Sequence, residues 1–192
     1  MTLLSNQNKK MLKFVFLLLI FFVFLILCNY YLESSSIEER YDSIIVKTAE
    51  RHSVSWQMIK AIIRQESHFH ANAKGGVGEI GLMQITIGAA RDWEKKKHTR
   101  KHTRYELFNP ELNLEIGTWY YARALKQWKK KKFSEIYALA QYNAGRKNLL
   151  RWTKNMKHDT NPIKKIGFPS TRNYVKRVMN FYHSYLKKQP NI

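Results

Sequence analysis

Fifteen consecutive apolar residues, Phe14 to Cys28, follow Lys9, Lys10 and Lys13, and Tyr30, Tyr31 and Leu32 prolong the run past Asn29. A bilayer-spanning helix needs ~20 mostly apolar residues, which residues 14–32 nearly supply, with tyrosines at the interfacial end. A cleaved leader would have a shorter apolar core and small residues before the cut. Leu25-Ile26-Leu27-Cys28 offers none. The run therefore predicts an uncleaved signal anchor, with residues 1–13 as a basic cytoplasmic tail by the positive-inside rule. Acylation of Cys28 is the lesser alternative, because a bulky Leu27 precedes it. Everything after Leu32 is expected outside the cytoplasm, in a single-pass protein of the cytoplasmic (inner) membrane.

That location decides how the charge is read. A net charge of +20 selects polyanions as partners, and an extracytoplasmic domain excludes DNA or RNA as the natural one. Anionic lipids and acidic wall polymers remain. Two basic clusters carry much of the charge, Lys95 to Arg104 and Lys129 to Lys132, and each reads either as a solvated face or as a contact to such a surface. With one cysteine no intrachain disulfide can form. The remaining length suits one domain with a single core, and a monomer is expected.

After a polar spacer at 33–40 the chain reads as helix after helix, with no convincing strand: an all-α domain. Ser36 is expected to cap a segment carrying Ile37, Tyr41, Ile44 and Ile45, and Ser55 one carrying Met58, Ile59, Ile62 and Ile63 up to Glu66. Thr86 caps a short helix through Trp93. Asn109-Pro110 opens a long one with Leu114, Ile116, Gly117, Tyr120, Tyr121, Ala124, Leu125 and Trp128 as candidate inner residues. Another runs from Ser134 to a break at Gly145. Leu149, Leu150 and Trp152 mark the next, and Ser170 is expected to cap a last helix with Val175, Val178, Met179, Tyr182, Tyr185 and Leu186 on its apolar face. Residues 154–169 read as an irregular connection.

Glu66 is the prime candidate for chemistry. It ends an apolar helical stripe, beside whatever the glycine-bearing loop and Gly81-Leu82-Met83-Gln84 build. A carboxylate so placed loses hydration, its pKa rises, and near neutral pH it retains a proton for a leaving group. Glu79 is a candidate second carboxylate, either in the cleft or paired with a nearby cation. His68 and His70 lie close to Glu66, and His98 and His102 would share a helix face. No His-Glu-x-x-His pattern or further ligand cluster completes a metal site, so neither metal nor cofactor is expected.

Several separated motifs line up with one family. Glu66-Ser67, Gly81-Leu82-Met83-Gln84, Leu107-Phe108-Asn109-Pro110-Glu111-Leu112-Asn113, Ala140-Gln141-Tyr142-Asn143-Ala144-Gly145 and Thr171-Arg172-Asn173-Tyr174-Val175 follow in order. Residues 41–192 thereby resemble the catalytic domain of the soluble lytic transglycosylases, relatives of goose-type lysozymes. The resemblance implies a lysozyme-like helical fold that cleaves peptidoglycan glycan strands between N-acetylmuramic acid and N-acetylglucosamine. It implies Glu66 as acid and then base, and closure of the muramoyl C6 hydroxyl onto C1, leaving a 1,6-anhydromuramoyl end. It further implies that Ser67, Met83, Gln84, Tyr142, Asn143 and Tyr174 attend the substrate. Gly75 stands where many relatives have serine, and Ser170 where many have glutamate. A hydrolase of the same fold and a peptidoglycan-binding scaffold with weak turnover are the alternatives.

Overall fold

The computed structural model describes residues 6–190; the first five residues of the expected basic tail and the last two of the expected domain lie outside the described residues. The chain divides into two compact units, one through Arg40 and one from Tyr41.

The first unit is a single helix, α1 (Asn6–Glu39). Within it Asn8–Tyr30 is long and apolar enough to cross a membrane, and none of that stretch is buried. Residues 33–39 of the expected polar spacer continue the helix, since no glycine or proline interrupts them. Ser36 consequently lies inside α1 rather than at a helix start.

The second unit contains α2 (Asp42–Arg51), α3 (Trp56–Ser67), α4 (Ile87–Lys97), α5 (Pro110–Trp128), α6 (Ser134–Ala144), α7 (Arg146–Thr153) and α8 (Pro169–Tyr185). Single 3-10 turns lie at Glu106–Phe108 and Pro162–Lys165. Among the described residues there is no strand, only isolated bridges from Ile80 to Lys74 and to Ile85. The caps follow local chemistry. Ser55, Thr86 and Asn109 accept the backbone N–H groups of Met58, Ala89 and Leu112 at 3.4, 3.1 and 3.0 Å, satisfying donors that a helix start leaves unpaired. Ser170 does not do this. Pro169 already occupies the first turn of α8, where its missing N–H costs nothing, and Phe168 is the cap position.

The α3 stripe is the centre of the core: Met58, Ile59, Ala61, Ile62 and Ile63 are all buried. This face packs on α8 and α2, while α5 packs on α6, α2 and α4, and α6 also meets α7 and α8. α3 is thus held by its sequence neighbour α2 and by α8, which lies far along the chain. Its C-terminal turn is fixed between α8 and the loop 68–86.

Candidate active site

Glu66 is the penultimate residue of α3. The helix ends there because His68 and Phe69 both adopt left-handed backbone, with φ of 49° and 65°. Such a conformation costs about 1–3 kcal/mol at a non-glycine residue, and here two in succession turn the chain sharply away from the carboxylate. Ser67 secures the turn from inside. Its buried hydroxyl lies 2.8 Å from the Leu82 carbonyl and 3.2 Å from that of Ile63, tying α3 to the Gly81–Gln84 segment.

Burial is the main force on Glu66 and raises its pKa from an ordinary 4.5 to about 7. Two side chains modulate this. The Tyr174 hydroxyl donates to Glu66 Oε1 at 2.8 Å and favours the anion, whereas the negative charge of Glu79 opposes ionisation. Tyr174 is itself buried at 4 % exposure, and burial, followed by the neighbouring Glu66 charge, pushes its phenol well above the ordinary range. It is therefore a neutral donor at any physiological pH. Near neutrality Glu66 is divided between acid and carboxylate, and can both give and take a proton.

The segment facing it is built around Asn113 on α5, which has no exposed surface. Its amide donates to the carbonyls of Ile80 and Leu107, each at 2.8 Å, and its Oδ1 accepts the Met83 N–H at 2.8 Å. Gly81, at φ 77°, lies so close that a Cβ there would strike the Asn113 side chain. Tyr142 on α6 completes the hold: its hydroxyl donates to the Met83 carbonyl at 2.9 Å. Gln84 is the fourth residue of the segment and also has left-handed backbone, at φ 49°, with Nε2 donating to the Gly81 carbonyl at 2.8 Å. Gln84, Tyr120, Gln141, Tyr142 and Arg146 line one cavity of about 440 Å³.

The residues singled out from sequence fall into two groups. Glu66 and Tyr174 are hydrogen-bonded, Tyr142 is near enough to feel the Glu66 charge, and Gln84 and Tyr142 share a cavity wall; Asn143 is exposed, with its Oδ1 accepting the Thr171 hydroxyl at 2.8 Å. Met83 and Ser67 do not present side chains there. Met83 is fully buried against Gly117, with the Thr118 hydroxyl 3.8 Å from its sulfur, because a thioether fills core space better than it binds sugar. Ser67 spends its hydroxyl on backbone carbonyls. Glu79 lies in the loop, its Oε2 accepting the Val77 N–H at 3.1 Å. A Cβ at Gly75 would collide with Glu79 Oε2 and Gln84 Oε1, so these two side chains occupy the space a serine would use. The histidines are spent singly: His68 and His98 close helices α3 and α4, His70 Nδ1 lies 3.0 Å from the Ser67 carbonyl, and His102 meets Glu94. His98 and His102 share no helix face, since α4 ends at Lys97. Among the described residues no three potential metal ligands converge.

Asn113 and Thr171 were within recognisable motifs, yet no role followed from sequence, since each acts on a partner about thirty residues away. Comparison with known proteins bears on the same motifs. The family described as Transglycosylase SLT domain matches residues 43–163. Membrane-bound lytic murein transglycosylase F of Desulfosudis oleivorans is 33 % identical over 128 residues, 64 % of this chain and 26 % of that protein. Membrane-bound lytic murein transglycosylase E of Buchnera aphidicola is 29 % identical over 158 residues, covering 78 % of this chain and 72 % of that one. The crystal structure of the 70 kDa soluble lytic transglycosylase SLT70 from Escherichia coli superposes with a TM-score of 0.69 at 29 % identity, over 78 % of this chain and 25 % of that one. This chain therefore spans about a quarter of the Desulfosudis and Escherichia proteins and nearly three quarters of the Buchnera one. A matched stretch that includes the α3 glutamate, the Asn113 hub and Tyr142, on a shared helical frame, places the chain in the Transglycosylase SLT domain family.

Proposed function

We propose that the chain is a membrane-anchored peptidoglycan lytic transglycosylase that cleaves the β-1,4 bond between N-acetylmuramic acid and N-acetylglucosamine. The observation that carries this is Glu66, a partly buried carboxyl with a pKa of about 7 and a neutral tyrosine donor on one oxygen. Protonated Glu66 delivers its proton to the glycosidic oxygen, and the leaving sugar departs with the bonding pair. The muramoyl C1 then carries oxocarbenium character. Glu66, now a carboxylate, takes the proton from the C6 hydroxyl as its oxygen closes onto C1. The 1,6-anhydro ring forms without water, metal or cofactor. Glycosidases with two carboxylates use the second as base or nucleophile; here the substrate supplies the attacking hydroxyl.

Gln84, Tyr142 and Asn143 are the proposed sugar contacts, with amides for acetamido and hydroxyl groups and an aromatic face for the ring. Ser67 and Met83 act indirectly by fixing the loop. Glu79 is the proposed secondary carboxylate, keeping Glu66 protonated by repulsion. The names of the relatives, lytic murein transglycosylases described as membrane-bound, support both the substrate and the anchor. In this proposal residues 14–32 span the cytoplasmic membrane once, Lys9, Lys10 and Lys13 stay inside, and the domain 41–192 works on the extracytoplasmic face as a monomer.

The test is mass spectrometry of soluble products released from purified peptidoglycan by a fragment starting at Ser34 and by its Glu66→Gln variant. Anhydromuramoyl ends that vanish with the variant are expected. Reducing ends would make the protein a hydrolase, and binding to sacculi without products would make it a scaffold.

A further inference from the structure

One large cavity among the described residues has no Glu66 on its wall. It holds about 1050 Å³ between α4, α5 and the turn after α2. Lys95 and Lys96 from α4, and Arg123, Lys126 and Lys129 from α5 and its end, stand around it, with Trp119 on its wall. None of these five cations forms an ion pair among the described residues, although other cations do: Arg51 with Glu115, Arg91 with Glu94, and Arg100 with Glu106. The one acid on the wall, Asp92, accepts the Tyr120 hydroxyl at 2.6 Å.

Helix dipoles do not balance this charge. The last turns of α4 and α5 both lie at the cavity, and each helix end carries roughly half a negative charge. Two such ends and Asp92 offset about two of the five positive charges, leaving roughly +3 around one concavity. The basic clusters of the sequence are divided by the fold accordingly. In the first, Arg100, His102 and Arg104 bind Glu106, Glu94 and the Gly78 carbonyl, while Lys95 and Lys96 face the cavity. In the second, Lys131 donates to the Met156 carbonyl and Lys132 lies over the Phe133 ring, while Lys129 faces the cavity.

We infer that this cavity docks the headgroups of anionic phospholipids, holding the domain against the membrane that anchors it. Phosphates match a concavity of unpaired lysines, and Trp119, Leu125 and Val54 on the same wall provide the amphipathic edge that suits a bilayer interface. The covalent tether makes the bilayer the nearest anionic surface. Between Tyr30, at the end of the apolar stretch, and Tyr41 the chain reaches at most about 40 Å even when extended. The inference rests on the proposed membrane anchor but not on the catalytic proposal, because no residue assigned to the chemistry is involved.

The test uses the full chain in lipid nanodiscs of phosphatidylcholine alone or with phosphatidylglycerol, each doped with a nitroxide-headgroup lipid and read by amide NMR. In the anionic discs the amides of 92–98 and 119–129 should broaden about threefold or more relative to those of α8, and raised salt should reverse this. Lys95→Gln/Lys96→Gln/Lys126→Gln/Lys129→Gln should abolish the effect while leaving the spectrum folded and the release of glycan products unchanged. Equal broadening in both discs, broadening spread over α8, or survival of the effect in the variant would overturn the inference. So would failure of the chain to enter the discs, which would remove the tether. Shifts at the same amides on adding soluble poly(glycerol phosphate), with no effect of phosphatidylglycerol, would overturn it in favour of a wall polymer.

Discussion

Replacing Glu66 by glutamine should stabilise the folded domain, and do so only above mildly acidic pH. The folded state holds the Glu66 proton with a pKa of about 7 against an ordinary 4.5. Below 4.5 the side chain is neutral whether the domain is folded or not, and contributes no difference. As pH rises from 4.5 to 7 the unfolded chain loses its proton first, and the folded state must either keep an acid or bury a charge. Stability present at low pH is therefore lost progressively across this window, and the loss is complete above 7. At 1.36 kcal/mol per pKa unit the full cost is up to about 3 kcal/mol, and solvent at the open side of the cleft lowers it to about 1–3 kcal/mol. Glutamine has the same shape, no charge, and an oxygen that still accepts from Tyr174. Thermal unfolding of the fragment from Ser34 and of its Glu66→Gln variant, compared between pH 4 and pH 8, should give coincident midpoints at the acid end. At pH 8 the variant should melt about 2–12 °C higher. A difference that is constant with pH, or a variant that melts lower at pH 8, would refute burial as the cause of the raised pKa.

Four other outcomes follow from the same geometry. Tyr174→Phe removes the donor that favours the anion, so the Glu66 carboxyl should titrate above about 7 in a ¹³C NMR experiment, and the alkaline limb of any pH–activity profile should move up with it. Glu79→Gln should move both in the opposite direction, because it removes a repelling negative charge. Asn113→Leu strands the Met83 N–H and two carbonyls in the interior; at about 1–3 kcal/mol for each unsatisfied group, urea unfolding should show a loss of about 3 kcal/mol or more. Gly117→Ala would set a Cβ 2.7 Å from Met83 Cβ, and the forced shift should cost about 1–3 kcal/mol in the same assay.

Local chemistry made much of the fold legible. Ser55, Thr86 and Asn109 are helix starts because their side chains satisfy nearby backbone donors, an effect complete within three residues. The Met58–Ile63 stripe identifies its own buried face by period alone. Where two local signals competed, the sequence was ambiguous. Ser170 resembles a cap, but Pro169 had already begun α8, and Ser36 resembles one inside a helix that nothing breaks. Met83 showed the opposite limit. A methionine in a motif beside a cleft can point either way, and only the close approach permitted by Gly117 sends it into the core.

By itself, the sequence determined the long apolar helix, the helical class, most helix boundaries and the choice of Glu66 as the candidate acid, since each depends on residues within a few turns of one another. Tertiary structure decided how that acid behaves. The Glu66 pKa depends on desolvation by the packed domain, on a hydroxyl 108 residues away at Tyr174 and on the charge of Glu79, and the loop opposite it depends on Asn113. The five cations of the α4–α5 cavity are likewise scattered through two basic clusters and one helix face until packing sets them around a common space. Burial and Coulomb interaction depend on distance through space, and helix packing sets that distance between residues that periodicity and capping cannot relate.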